Sequence, residues 1–524
     1  MSGNGKCHPA EKSFLGYPGD EVDRCKSTLS QFYATCVQCI FLISLGMQFV
    51  MPTIVLGALH NKAVINDAMY LDDADASWIG STLYICHPIG SLISGFLSER
   101  FGRKGGMMLV NIPFIGGWVL LYCATSVRGL YVATLTMGLG MGFCEAPIAA
   151  YLGETSEPRL RSIFTTMTTA ACNLGVLIEL AIGSSLDWRT STLVSSFVPV
   201  FSFVLFFTIP ESPVWLITKG RMKDAQKSLA WLRGFAKPHQ VQNEFDELVR
   251  YTKMSYALGN SQGNPEEKAP LDNKNNTSKH LEEDSDGWLK TRYKEITNPK
   301  LYMPLKFVMF SFFWAQCACL IPFRSYMIGI LENFWFPVDR KWILIMTGVV
   351  AFIGSVVPMF IIQYTGKRKL GLSCMFVATA SILCLGVFAS FYTHTENLVV
   401  AWLLIVDLAV VHFVGFLGII NVSWMLVCEI FPVRARGIAT GISTGWSCFI
   451  AFLLTKGFLW MQSMVGLSGL FYMYGVLSFL GCIYYYFNLP ETEGKTLERI
   501  ETYFSSNHDR KEKYSMPSRS ASKA

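Results

Sequence analysis

The chain has 524 residues, 51% hydrophobic and 14% aromatic, with only 16% charged; a soluble protein of this size carries about 25% charged residues. That balance excludes an ordinary soluble enzyme. The net charge of +6 comes with basic residues gathered in particular loops, which reads as membrane orientation and excludes a nucleic-acid binder as the first choice.

Residues 1–30 form a polar tail without the apolar segment of a signal peptide, so insertion falls to the first span. Runs of about 20 apolar residues, enough to cross a bilayer as helix, begin near Gln31, Ala76, Gly106, Gly129, Ile163 and Leu193. After a polar interval they resume near Met303, Trp342, Leu370, Leu398, Gly437 and Gly466. Twelve spans place both termini on one side. Arg103, Lys104, Arg159, Arg161, Lys367, Arg368, Lys369, Arg434 and Arg436 fall in alternate loops, and the excess of positive charge predicts that this side is cytoplasmic. The opposite loops are short and poor in Lys and Arg; the longest, 59–75, is acidic. The 15 cysteines lie mostly in apolar runs, as at Cys36, Cys39, Cys317 and Cys319, which predicts packed thiols and no disulfide framework.

The two sets of six spans carry similar strings. Glu154-Thr-Ser-Glu-Pro-Arg-Leu-Arg161 corresponds to Glu429-Ile-Phe-Pro-Val-Arg-Ala-Arg436, and Pro210-Glu211-Ser212-Pro213 to Pro490-Glu491-Thr492. The predicted fold class is an all-α membrane protein with twelve transmembrane helices in two pseudo-symmetric six-helix bundles, 31–210 and 303–490. The cytoplasmic loop 211–302 joins them, and a cytoplasmic tail, 491–524, follows. Within that loop Ala225, Leu229 and Leu232 share one face of a short amphipathic helix. Residues 259–287 have the composition of a disordered insertion; Asn275 and Asn276 there are glycosylation sequons that a cytoplasmic location leaves bare. The tail 507–524 is basic and Ser-rich.

Four charges stand between two spans in Gly95-Phe-Leu-Ser-Glu99-Arg100-Phe-Gly102-Arg103-Lys104, and charge is too expensive in hydrocarbon to lie deeper. This pattern resembles the signature loop between helices 2 and 3 of the major facilitator superfamily. Pro210-Glu-Ser-Pro-Val-Trp215-Leu, Glu429-Ile-Phe-Pro432-x-Arg-x-Arg436-Gly437 and Leu489-Pro490-Glu491-Thr492-Glu-Gly494 narrow the resemblance to the sugar porter branch, over roughly 31–501. Ala76-Ser-Trp-Ile79, Asp187-Trp188-Arg189 and Trp231-Leu-Arg-Gly234 are similar to strings in insect facilitated trehalose transporters.

The resemblance implies a substrate site between the halves, opened alternately to each side. It also implies a cytoplasmic gate of ion pairs, since arginine forks pair with carboxylates bidentately. The acids are Glu99, Glu154, Glu211, Glu429 and Glu491; the bases are Arg100, Arg103, Arg161, Arg434 and Arg436. In the family such pairs lock the halves together and part as the protein opens inward; static anchoring of helix ends is the alternative. In the second half, Gln363-Tyr-Thr-Gly366-Lys367-Arg368 lacks the family's acid, so a weaker copy of the lock is expected there.

The sugar site departs from the family. Its helix 5 amide aligns with Thr169. Its helix 7 amide-rich string reads Ala315-Gln316-Cys-Ala318-Cys319-Leu-Ile321, a helix 8 polar residue aligns with Ala351, and the helix 10 motif reads Ile420-Asn421-Val-Ser423-Trp424. Each lost amide removes about 1 kcal/mol of net hydrogen bonding. Gln316 and Trp424 survive, and Asn421, Ser423, Thr168 and Thr169 offer a different polar lining or simply satisfy helix backbone.

Ionisable residues inside spans are functional candidates by default: Glu145, Glu179, Arg324, Asp407 and His412, with His87. Arg324 has two readings, pairing with Glu179 or standing at an outer gate beside Tyr326. Asp407 and His412 read as a proton relay or as a satisfied polar pair. Lys456 is placed to snorkel outward. Proton-coupled sugar porters carry an acid in helix 1 and an Arg in helix 4; helix 1 here has no acid and the helix 4 position aligns with Thr134, which disfavours symport by that pair. Gly138-Leu-Gly140-Met-Gly142 lies in a span, not after a strand, so it predicts close helix packing and not a nucleotide loop.

The expectation is a monomeric, non-enzymatic plasma-membrane carrier without cofactor or metal. It would bind a small solute, a hexose or a trehalose-like disaccharide, in a lipid bilayer and move it by facilitated diffusion. An organic-ion carrier on the same fold and a non-transporting nutrient sensor remain as alternatives.

Overall fold

The structure is a computed structural model that describes residues 23–60, 69–260, 299–332, 334–391, 397–431 and 436–492. Arg434, the side chains of Arg436 and Gln363, the insertion from 261 with Asn275 and Asn276, and the tail 507–524 lie outside the described residues.

Six long helices come first: α1 (Arg24–Leu59), α2 (Asp73–Phe101), α3 (Arg103–Tyr122), α4 (Val127–Thr155), α5 (Pro158–Ser185) and α6 (Trp188–Leu205). Three shorter ones follow: α7 (Pro213–Thr218), α8 (Met222–Leu232) and α9 (Gln242–Asn260). The second half has α10 (Pro299–Ala318), a 3-10 segment (Ile321–Tyr326), α11 (Met327–Glu332), α12 (Arg340–Val356), α13 (Pro358–Thr365) and α14 (Lys367–Phe391). It ends with α15 (Leu398–Val414), a π-helical turn (Gly415–Ile419), α16 (Ile420–Ile430) and α17 (Arg436–Asn488). Among the described residues the extended pairing is one isolated bridge, His60 to Leu71.

Among the described residues ten segments are long and apolar enough to cross a membrane. One of them, 50 residues long, is two helices joined at Gly466, whose φ of 73° breaks the helix. α2 has 29 residues and packs within the first half, although its acidic start and many serines keep it out of the ten. Adding α2 and counting the broken segment twice gives the twelve spans expected. α1 starts, and the last span ends, at the same end of the bundle, the one that carries Arg103 and Lys367; it is called the basic end below.

Local chemistry sets the helix starts. Asp23, Asp72, Ser126, Asp187 and Asn397 each accept a backbone N–H from the first turn of the helix they precede, which satisfies donors that hydrocarbon would leave bare. Small residues set the packing. A Cβ at Gly142 would lie 2.1 Å from the His87 carbonyl oxygen, and one at Gly138 would lie 2.5 Å from that of Leu83. α2 and α4 touch backbone to backbone there, as the glycine string predicts. The amphipathic helix of the linker is α8, with Ala225, Leu229 and Leu232 buried against α7 and α9.

Candidate functional site

At the basic end of the first half, Arg103 opens α3 and reaches the end of α4. Its Nη2 lies 2.7 Å from Glu154 Oε1, its Nε donates to both Glu154 oxygens at 3.1 Å, and its Nη1 donates to the Ser98 carbonyl at 3.0 Å. Ser212 adds its hydroxyl to Glu154. Glu211 caps α3 from outside, accepting the backbone N–H groups of Arg103 at 2.9 Å and Lys104 at 3.0 Å. A carboxylate suits this place because the helix start carries unsatisfied N–H groups and the positive end of the dipole. Gly102 permits the approach. Its φ is 91° and a Cβ there would meet Glu211 Oε2 at 2.3 Å.

The second half builds the same cradle from different residues. Lys367 opens α14 and sets its ammonium 2.6 Å from both oxygens of Glu429. Thr492 donates its hydroxyl to Glu429 at 2.9 Å. Glu491 accepts the backbone N–H groups of Lys367 at 3.2 Å and Arg368 at 3.1 Å. Gly366, φ 75°, stands where Gly102 stands. The second copy therefore keeps its central ion pair, with lysine in place of the fork.

These ion pairs join helices within each half and not across the halves. The reason is local: each base opens a helix whose start is already tied to the acid that follows the last span of the same half. Of the other predicted gate residues, Glu99 and Arg100 are exposed; the Glu99 carbonyl accepts from Trp215 Nε1 at 3.0 Å, and Arg100 stacks on Phe101 at 5.7 Å. Arg161 donates to the Gly153 carbonyl at 3.2 Å. The sequence reading missed Glu157, 1% exposed, which accepts from Ser27 at 2.7 Å and Gln31 at 2.8 Å. Arg233, after α8, approaches it at 3.8 Å and pairs with Glu244 at 2.5 Å. The available signal was the place of Glu157 inside the charged loop string Glu154–Arg161.

Several hydrogen bonds between the halves are neutral. Thr53 donates to the Arg324 carbonyl at 3.0 Å, Ser325 to the Gly80 carbonyl at 3.3 Å, Ser77 to the Lys456 carbonyl at 3.0 Å and Ser91 to the Gly441 carbonyl at 3.1 Å. Lys456 reaches Trp78 of the other half, 3.8 Å from its ring centroid. Neutral bonds of this kind contribute about 1 kcal/mol net each.

The candidate sugar-site residues divide. Gln316 donates to Ser447 Oγ at 2.8 Å and leaves its buried Oε1 without a partner. Asn421 donates to the Phe416 carbonyl at 2.5 Å, and its buried Oδ1 is likewise unpartnered. Trp424 is half-buried, edge-on to Phe312 at 5.3 Å. Thr168 and Thr169 bond to the Thr165 carbonyl. Ser423, 0% exposed, is absorbed in a hydroxyl cluster with Ser311 at 2.9 Å and Tyr485 at 3.3 Å.

The intramembrane ionisable groups do not form the expected pairs. Glu179 accepts from Ser191 at 2.9 Å and Ser195 at 2.5 Å, both on α6, and not from Arg324. His412 bonds through Nδ1 to its own helix, at the Leu408 carbonyl, 2.9 Å, while Asp407 meets Ser381. Five residues apart on a helix they point about 140° from each other. Glu145 lies 3.2 Å from His87. Among the described residues no group of three or more His, Cys, Asp or Glu is arranged to hold a metal.

A two-half bundle of membrane-spanning helices with one charged cradle repeated in each half defines a membrane carrier architecture. The model of the family described as Sugar (and other) transporter matches residues 39–504, and the chain belongs to that family. It is 30% identical over 434 residues to the facilitated trehalose transporter Tret1 of Drosophila mojavensis, covering 81% of this chain and 46% of that protein. To the Tret1 of Apis mellifera ligustica it is 28% identical over 436 residues, covering 82% of this chain and 80% of that one. The chain thus spans about half the length of the Drosophila relatives it matches. Its fold resembles that of the proton:xylose symporter XylE, a major facilitator superfamily protein solved with 6-bromo-6-deoxy-D-glucose, at TM-score 0.70 and 18% identity over 91% of this chain and all of the other. It also resembles a partially occluded, inward-open form of XylE from E. coli at TM-score 0.67 and 17% identity, over 89% and 99% of the two chains.

Proposed function

We propose that this protein carries a sugar-class solute across a bilayer by facilitated diffusion, through a site between its halves that opens alternately to the two sides. The basic end faces the cytoplasm, the membrane is the plasma membrane, and the protein acts as a monomer without enzymatic chemistry. The observation that carries this reading is the repeated cradle. Arg103, Glu154 and Glu211 tie the helix ends of one half, and Lys367, Glu429 and Glu491 tie those of the other. Each half is stiffened as a unit, and the described hydrogen bonds from Thr53, Ser77, Ser91 and Ser325 across the seam are neutral. Two bodies, each stiffened at its helix ends, are what rocking about a central site requires.

In this reading the cytoplasmic gate residues act by fixing each half's helix ends, so that whole bundles and not single helices move. Gln316, Asn421 and Trp424 supply the polar and apolar contacts to the cargo. Purified protein in proteoliposomes tests the reading directly. It predicts saturable uptake of at least one labelled member of a panel of hexoses, pentoses and trehalose, accelerated by unlabelled solute on the opposite side. Binding of a sugar without any uptake would instead make the protein a sensor.

A further inference from the structure

One cation at the seam has no counter-ion among the described residues. Arg324 lies in the 3-10 segment that follows Leu320, whose φ of 50° breaks the seventh span. The segment is held against the first half by Thr53, which donates to the Arg324 carbonyl, and by Ser325, so the Arg324 backbone is fixed at the interface. Its Nη2 is buried without a hydrogen-bond partner. The groups in electrostatic reach are Tyr84 and Cys172 of the first half and His412 of the second, none of them a carboxylate. The acids of the neighbouring spans are engaged elsewhere: Glu145 with His87, Glu179 with two serines, Asp407 with Ser381. Among the described residues no carboxylate stands within salt-bridge distance of Arg324.

A desolvated guanidinium is costly unless an anion meets it, and its fork matches a carboxylate with two parallel hydrogen bonds. Eight residues earlier in the same span, Gln316 holds a buried acceptor without a partner, and Asn421 holds another. Acceptors of that kind suit the hydroxyl donors of a sugar. One cation balances one negative charge, whereas a phosphate dianion would bring a second into the seam.

Building on the carrier reading above, we propose that the preferred cargo is a sugar acid, its carboxylate on Arg324 and its hydroxyls read by Gln316 and Asn421. Arg324 is then the residue that sets specificity between acidic and neutral sugars.

The test uses the full chain in proteoliposomes, with D-glucuronate, D-glucose and glucose 6-phosphate as probes. Labelled glucuronate should enter saturably, and faster when the interior is made positive, because an anion moves alone. Unlabelled glucuronate should compete at a concentration about tenfold or more below that of glucose or glucose 6-phosphate. Arg324→Gln should raise the glucuronate KM about tenfold or more and abolish the preference for glucuronate over glucose, and Arg324→Lys should restore part of that preference. If the Gln variant does not fold, the wild-type competition and its response to voltage decide alone. Saturable glucose uptake with glucuronate competing no better overturns the sugar-acid proposal and leaves the carrier reading standing. No saturable uptake of any of these probes or of the neutral sugar panel overturns both.

Discussion

The ammonium of Lys367 lies 2.6 Å from each carboxylate oxygen of Glu429, with 1% of the lysine side chain exposed. It occupies the position that Arg103 holds beside Glu154 in the first half. The two pairs are chemically different solutions to one requirement, a cation that closes the end of a helix onto the acid of its neighbour. Arginine offers a fork, and lysine offers a point charge.

Lys367→Ala should therefore destabilise the second half by about 3–5 kcal/mol, because it strands Glu429 in a mostly desolvated place. Lys367→Arg should retain most of the stability. Thermal melts of the detergent-solubilised variants check this, with Glu429→Gln completing a double-mutant cycle. A melting temperature unchanged in Lys367→Ala would show that the pair contributes nothing.

Gly102→Ala forces a Cβ onto a backbone at φ 91° and into Glu211 Oε2. A cost of about 1–3 kcal/mol follows from the backbone conformation alone, and displacement of Glu211 uncaps α3. The expected outcome is a lower melting temperature and slower uptake. An alanine variant that melts and transports like the parent would remove the cradle from the account.

Cargo contacts and cradle contacts should separate kinetically. Trp424→Ala removes an apolar face for a sugar ring and Gln316→Ala removes an amide; each should raise the apparent KM about tenfold for a loss of about 1.4 kcal/mol. Arg103→Ala, at the basic end, should lower the maximal rate with little change in which solutes compete. Initial uptake rates against concentration, at matched surface expression, distinguish the patterns. Unchanged KM in both cargo variants would exclude those two residues from the site.

The spans and the first-half cradle were legible in the sequence because hydropathy and a short motif are local signals. α2 gives the weakest of these signals: its many serines dilute the apolar run that begins near Ala76, and the motif at its end supports the reading. The second cradle was harder to read. Gln363 replaces the family's acid, yet that acid is not what holds Lys367; Glu429 does, 62 residues away. The Glu157 and Arg233 contact was invisible for the same reason, since 76 residues separate the partners and no periodicity connects them. Of the two readings of Arg324, the pairing with Glu179 rested on charge complementarity alone and left out the two α6 serines that bond to Glu179. Gly466, one glycine among 43, was correctly read as a span boundary from the hydropathy pattern, although the helix continues on either side of it.

The central claim is that the two halves must part for transport to occur. A Cβ at Gly57 of the first half would lie 2.4 Å from Ile328 Cδ1 of the second, at the end of the bundle opposite the cradles. Gly57→Cys with Ile328→Cys, bridged by oxidation or by a short bifunctional thiol reagent, should abolish proteoliposome uptake, and cleavage of the oxidised bridge by reductant should restore it. The two single-substitution variants, which keep the 15 native cysteines, treated alike, should keep transporting. Undiminished uptake by protein shown to be fully bridged would contradict alternating access between these halves.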